Sequence, residues 1–124
     1  MIYLNNKNIE SAFISCIKHN KIKVLIVSEC RKKIQEVHRK LDKLIYRYNN
    51  KIKTALMNDT KYDIKFKNGS LIKTLILSDC FKWERFNIIL VDEQMDKNVY
   101  RVILKPMEDN KKREIKCLNL ECLY

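Results

Sequence analysis

The sequence predicts an α/β domain: a mainly parallel sheet with helices on both faces and one β-hairpin. Three observations carry this. Lys23 to Ser28 (KVLIVS) and Phe86 to Val91 (FNIILV) are continuous apolar runs, the pattern of strands buried on both faces. Amphipathic helical spacing lies on either side of the first run. Asn68-Gly69 separates two β-prone runs, as in a hairpin. Helices alternating with strands imply a sheet covered by helices. The 124 residues fit one domain spanning 1–124.

The elements follow in chain order. Ile9, Ala12, Phe13, Cys16 and Ile17 form one apolar face over residues 8–19, with Asn6 or Asn8 as N-cap and Asn20 at the stop. KVLIVS is the next strand, and Ser28 offers an N-cap to the following helix. Over 29–48, Ile34, Val37, Leu41, Leu44, Ile45 and Tyr48 share one face, and Lys32, Lys33, Arg39, Lys40, Lys43 and Arg47 the other. Tyr62 to Leu77 reads as a hairpin, with a type I′ turn at Asn68-Gly69 because Asn and Gly both tolerate positive φ. After FNIILV, Val99, Val102, Ile103 and Pro106 favour a helix, although Tyr100, Val102 and Leu104 also alternate as a strand would. Arg113 to Leu120 is the expected last strand.

Composition narrows the function. Lys and Arg number 26 against 15 Asp and Glu, a net charge of +11, which attracts polyanions. The single glycine excludes a complete phosphate-binding loop or dinucleotide fingerprint, both of which need several. Five widely spaced cysteines show no zinc-ligand pairing and predict free thiols in a reducing compartment. The N-terminus MIYLNNKNIE has no leader pattern. The longest aliphatic runs are four residues, against about twenty for a membrane span. No membrane partner is expected, and the expected location is cytoplasmic.

Two features carry chemistry. Ile88-Ile89-Leu90-Val91 runs into Asp92-Glu93 at the C-terminal end of a strand, the edge where open α/β sheets bind ligands. An Asp there suits Mg²⁺ and an adjacent Glu suits polarising a water, the logic of a Walker B motif. A solvated acidic turn explains the same residues without chemistry. The second feature is the basic helix face, since residues 30–53 carry nine basic and two acidic side chains. Lys32, Lys33, Arg39, Lys40, Lys43 and Arg47 are its candidate nucleic-acid contacts. Tyr46, Tyr48, Tyr62, Phe81 and Trp83 are of a type that stacks on bases, but no aromatic-basic repeat organises them, and packing is the expected role. His19 and His38 have no Cys or Asp at ligand spacing and are expected on the surface.

Residues 64–94 (IKFKNGSLIKTLILSDCFKWERFNIILVDEQ) resemble the ATPase domain of phage terminase large subunits. In that family an NGS hairpin turn, a Ser, a basic residue and a Walker B strand ending in Asp-Glu follow one another. Asn68-Gly69-Ser70, Ser78, Arg85 and Asp92-Glu93 stand in that order. KVLIVSECRKKIQEVHRKLDKLI and VYRVILKPMEDNKKREIKCLNL resemble the flanking units, so the similarity covers residues 7–120. It implies a P-loop NTPase-like fold, with Asp92 holding Mg²⁺, Glu93 activating water, Lys7 gripping phosphate and the basic helix on DNA.

The departures are as informative. Asn5-Asn6-Lys7-Asn8 stands where the family has its Gly-rich phosphate loop, with neither glycine nor hydroxyl. The strand that should precede it is reduced to Ile2-Tyr3-Leu4, no Gly follows Arg85, and the last strand lacks the family's coupling Ser or Thr. The resemblance therefore implies a partial or degenerate terminase-like protein linked to phage DNA packaging, binding nucleic acid through its basic helix. Mg²⁺ and ATP would bind weakly or not at all without a partner chain that supplies the missing motor parts. Carboxylates without a Walker A loop argue against independent catalysis. The alternative is a small basic, non-catalytic phage accessory or anti-defence protein that binds nucleic acid or a host nucleoprotein.

Overall fold

The computed structural model describes residues 2–76, 85–93, 96–99 and 101. The elements are β1 (Ile2–Tyr3), α1 (Asn6–Lys18), β2 (Lys23–Ser28), α2 (Arg31–Arg47), β3 (Ile52–Met57), β4 (Tyr62–Phe66), β5 (Leu71–Ile76), β6 (Ile88–Val91) and the short α3 (Lys97–Val99). One six-stranded sheet has the order β1-β6-β2-β5-β4-β3. β1, β6, β2 and β5 pair in parallel, while β4 is antiparallel to β5 and to β3. The α/β class with a parallel-dominant sheet is therefore present, but the sheet is mixed. β3 lies in a segment with no expected element: IKTALM lacks strand alternation and its Ala, Leu and Met favour helix.

α1 begins because Asn5 is extended and its side-chain oxygen accepts the Asn8 N–H at 2.8 Å. Its face of Ile9, Ala12, Phe13 and Cys16 is buried. α2 buries Ile34, Val37, Leu41 and Leu44, and the Tyr48 N–H closes its end on the Leu44 carbonyl at 2.9 Å. Both helices pack on one face of the sheet, against Val24, Ile26, Ile64, Ile72, Ile88 and Leu90. The connections β1–α1–β2 and β2–α2–β3 step the same way across the sheet, and crossovers of one handedness then lie on one side. Phe13 sits at the centre of this layer, edge-on to Phe66 at 5.1 Å and tilted against Tyr48 at 6.0 Å. Truncating such a ring costs about 3–5 kcal/mol.

The opposite face carries a second buried cluster of Leu25, Val27, Phe86, Ile89 and Val91. The expectation of helices on both faces is corrected to this extent: both long helices among the described residues lie on the first face. The helix expected at Val99–Pro106 and the strand expected at Arg113–Leu120 fall almost wholly outside the described residues, apart from α3 and residue 101.

The hairpin is present with a different turn. The Gly69 N–H donates to the Phe66 carbonyl at 3.1 Å, and the Phe66 N–H to the Ser70 carbonyl at 2.8 Å. Gly69 has φ +89°, but the non-glycine residue with positive φ among those described is Lys21, not Asn68. Type I′ needs positive φ at both centres, so the turn is a three-residue loop with glycine in the left-handed position. Asn68 is released for another task. Its amide donates to the Cys16, His19 and Ile17 carbonyls at 2.7, 3.1 and 3.3 Å, capping the end of α1. Ser70 adds a bond to the His19 carbonyl at 2.9 Å and accepts the Ile22 N–H at 3.0 Å. The Asn-Gly-Ser motif thus ties the hairpin to the α1–β2 corner, at the sheet edge opposite Asp92.

Candidate functional site

The parallel strands β1, β6 and β2 end at a common edge, from which α1 and α2 both start. A cleft of about 590 Å³ opens there, lined by Leu4, Asn5, Cys30, Lys32, Lys33, Glu36, Asp92 and Glu93. Asp92 is half-buried and Glu93 exposed. The Ser28 hydroxyl donates to Asp92 Oδ2 at 2.5 Å, and the Glu29 N–H donates to the same oxygen at 3.2 Å. These bonds join the ends of β2 and β6 and fix the carboxylate. Ser28 also accepts the Cys30 N–H at 3.0 Å, which shapes the entry to α2. Sequence patterning marks Ser28 as a helix cap; across the sheet it instead orients Asp92.

Lys7 does not join this cluster. It is exposed on the first turn of α1 and does not line the cleft. The cations beside Asp92 and Glu93 are Lys32 and Lys33, brought there by the start of α2. The link from β1 to α1 is only Leu4-Asn5. Its Leu4 N–H is spent on the Val91 carbonyl at 2.7 Å, and Asn5 caps the Asn8 N–H. Asn8 is itself buried, its amide donating to the Tyr3 carbonyl at 2.7 Å. A triphosphate is ordinarily held by a nest of converging backbone N–H groups in a Gly-rich loop, and this two-residue link contains no glycine. Among the described residues no group of three or more His, Cys, Asp or Glu converges as a metal site.

The basic helix divides into two sets. Lys40 and Arg47 both pair with Glu10 of α1 at 3.6 Å, so one carboxylate ties two cations to the neighbouring helix. Among the described residues, Lys32, Lys33, Arg39 and Lys43 enter no ion pair. Lys32, Arg39 and Lys43 recur at +7 and +11 and are exposed, on the side of α2 away from its buried stripe. Glu36 and Asp42 are the acidic side chains within that stretch, both exposed.

Two expectations are overturned. His38 is not a surface residue: it is 5% exposed, and its Nε2 lies 2.8 Å from the Thr74 hydroxyl, which also accepts the Tyr62 N–H at 2.8 Å. The Tyr62 ring meets His38 edge-on at 5.3 Å, and the Tyr62 hydroxyl donates to Asp42 at 2.6 Å. Burial lowers the His38 pKa, and the nearby Asp42 charge partly opposes this. Burial and the Asp42 carboxylate push the Tyr62 phenol up. Tyr46 is not packing: it is 85% exposed and, with Asp42, Lys43 and Arg47, lines a surface groove of about 540 Å³. The spacing already held that signal, since Tyr46 stands seven residues after Arg39 and three after Lys43. Of the other aromatic candidates, Tyr48 and Tyr62 pack inward, and Phe81 and Trp83 lie outside the described residues.

Compared with protein-family models, curated proteins and solved structures, the chain matches none.

Proposed function

We propose that this chain is a non-catalytic nucleic-acid-binding domain on a terminase-like α/β architecture, holding DNA by its phosphates through the outer face of α2. The observation that carries the proposal is the set of cations Lys32, Lys33, Arg39 and Lys43 on one rigid helix, none in an ion pair among the described residues, in a chain of net charge +11. Cations held by a helix already packed on the sheet need little ordering on binding. Neutralising phosphates with them releases counterions, which makes the affinity salt-dependent. Binding without turnover accords with a β1–α1 link that is short and has no glycine. The order of hairpin, Walker B-like strand and carboxylates supports the terminase-like context and DNA packaging. In that context a partner chain would supply any phosphate grip.

The test is fluorescence anisotropy of a labelled duplex across salt concentration. Four phosphate contacts correspond to about a 100-fold loss of affinity between roughly 50 and 200 mM salt. The double variant Arg39→Glu/Lys43→Glu should weaken binding strongly and flatten the salt slope, with its thermal midpoint close to wild type because both side chains are exposed. Unchanged affinity and slope in that variant would overturn the proposal.

A further inference from the structure

The outer face of α2 presents one aromatic ring among its cations, and the geometry points to a platform for an unpaired base: we propose that the site prefers single-stranded nucleic acid, with Tyr46 stacking on a base while Arg39, Lys43 and Arg47 hold the adjoining phosphates. This deepens the nucleic-acid proposal and rests on it.

Tyrosine ordinarily buries its ring and leaves its hydroxyl wet. The Tyr46 ring is 85% exposed, and the ring makes no contact with another aromatic side chain among the described residues. It belongs to the polar face of α2, with Lys43 one turn before it and Arg47 beside it, and all three line the same groove. The groove also contains Asp42, an exposed carboxylate whose Oδ1 accepts the Tyr62 hydroxyl at 2.6 Å. Arg47 is 61% exposed despite its pair with Glu10, so its guanidinium is open to a phosphate as well.

A duplex hides base faces inside the stack, and only its phosphates are available to such a face. A single strand offers base faces and phosphates in alternation, which matches an aromatic ring flanked by cations. Charge selects a polyanion, and the ring selects one with exposed π-faces.

The test uses the full chain and three fluorescein-labelled probes: an oligothymidylate, an abasic strand of the same length and charge, and a duplex. Tyr46→Ala should weaken oligothymidylate binding about 5- to 150-fold, the range that one base stack supplies, with the salt slope unchanged. The same variant should leave abasic-strand and duplex binding as they are. Tyr46→Phe should behave as wild type, because stacking needs the ring and not the hydroxyl. Alanine at an exposed helical position favours the helix, so the fold is retained.

The inference is overturned if Tyr46→Ala binds oligothymidylate like wild type, or if wild type binds the abasic strand as tightly. Should Arg39→Glu/Lys43→Glu weaken all probes while Tyr46→Ala weakens none, the base platform alone falls. Should that double variant bind every probe like wild type, the nucleic-acid proposal falls with it. Poly-glutamate competing as well as oligothymidylate would overturn both, in favour of an acidic protein surface.

Discussion

Replacing Asn68 by alanine removes one side chain and loosens three segments. The Asn68 amide reaches the Cys16, His19 and Ile17 carbonyls at 2.7, 3.1 and 3.3 Å, and its oxygen accepts the Ser70 N–H at 3.0 Å. An amide has two hydrogens, so the donor side amounts to two full bonds with one shared. With the Ser70 bond, three interactions are lost. At about 0.5–1.5 kcal/mol each, and with the last carbonyls of α1 left to find water, the loss is about 2–3 kcal/mol. A domain of this size loses about 3–5 °C of thermal midpoint per kcal/mol, so the expected drop is about 6–15 °C. Asn68→Asp refines the test. It keeps the acceptor for Ser70 but sets a carboxylate against carbonyls at the negative end of α1, so it should be no more stable than alanine. Urea unfolding followed by far-ultraviolet circular dichroism gives the ranking, and duplex affinity should stay unchanged because the turn lies at the edge away from α2's start. A loss below about 0.5 kcal/mol for Asn68→Ala, within the scatter of surface substitutions, would refute the capping role, as would an aspartate variant more stable than alanine.

Three further outcomes follow from the same geometry. His38 has a lowered pKa when folded, so the folded state binds fewer protons; its contribution is fully present above about pH 6.5 and is lost as pH falls below that, with a slope of at most about 1.4 kcal/mol per pH unit. Urea midpoints at neutral and mildly acidic pH should show that loss in wild type, and His38→Gln should reduce it. Gly69→Ala forces alanine to φ +89° and sets its Cβ 3.3 Å from Lys21 Cγ, which should cost about 1–2 kcal/mol in the same unfolding assay. A brief iodoacetamide pulse on the native protein, mapped by mass spectrometry, should label the exposed Cys30 and spare Cys16, which is buried and whose thiol burial pushes up; equal labelling would contradict the packing of α1.

Much of the core is legible in the sequence because burial leaves a periodic trace. Ile9, Ala12, Phe13 and Cys16 give α1, and Ile34, Val37, Leu41 and Leu44 give α2. Val24 to Val27 and Ile88 to Val91 give the two central strands, each buried on both faces. β3 escapes this logic because an exposed edge strand needs no alternation, and Leu56 and Met57 remain 70% and 55% exposed. His38 escapes it for the opposite reason. Its place one residue after Val37 puts it on the margin of the apolar stripe, and its burial depends on Thr74 and Tyr62, which lie 36 and 24 residues further along the chain.

The candidate site divides along the same line. The basic stripe of α2 and the carboxylates at the end of β6 are readable from the residues alone, because both are local patterns of one helix and one strand. Their neighbours come from the fold. Strand order placed Lys32 and Lys33 beside Asp92 and left Lys7 outside, Glu10 took Lys40 and Arg47 out of the unpaired set, and Ser28 became the partner of Asp92 across 64 residues. Tyr46 was left in the open for the same reason. The physical cause is common to all of these: periodicity says which side of an element faces the core, whereas the neighbour that meets a polar group is chosen by how the strands are ordered and where each helix crosses them.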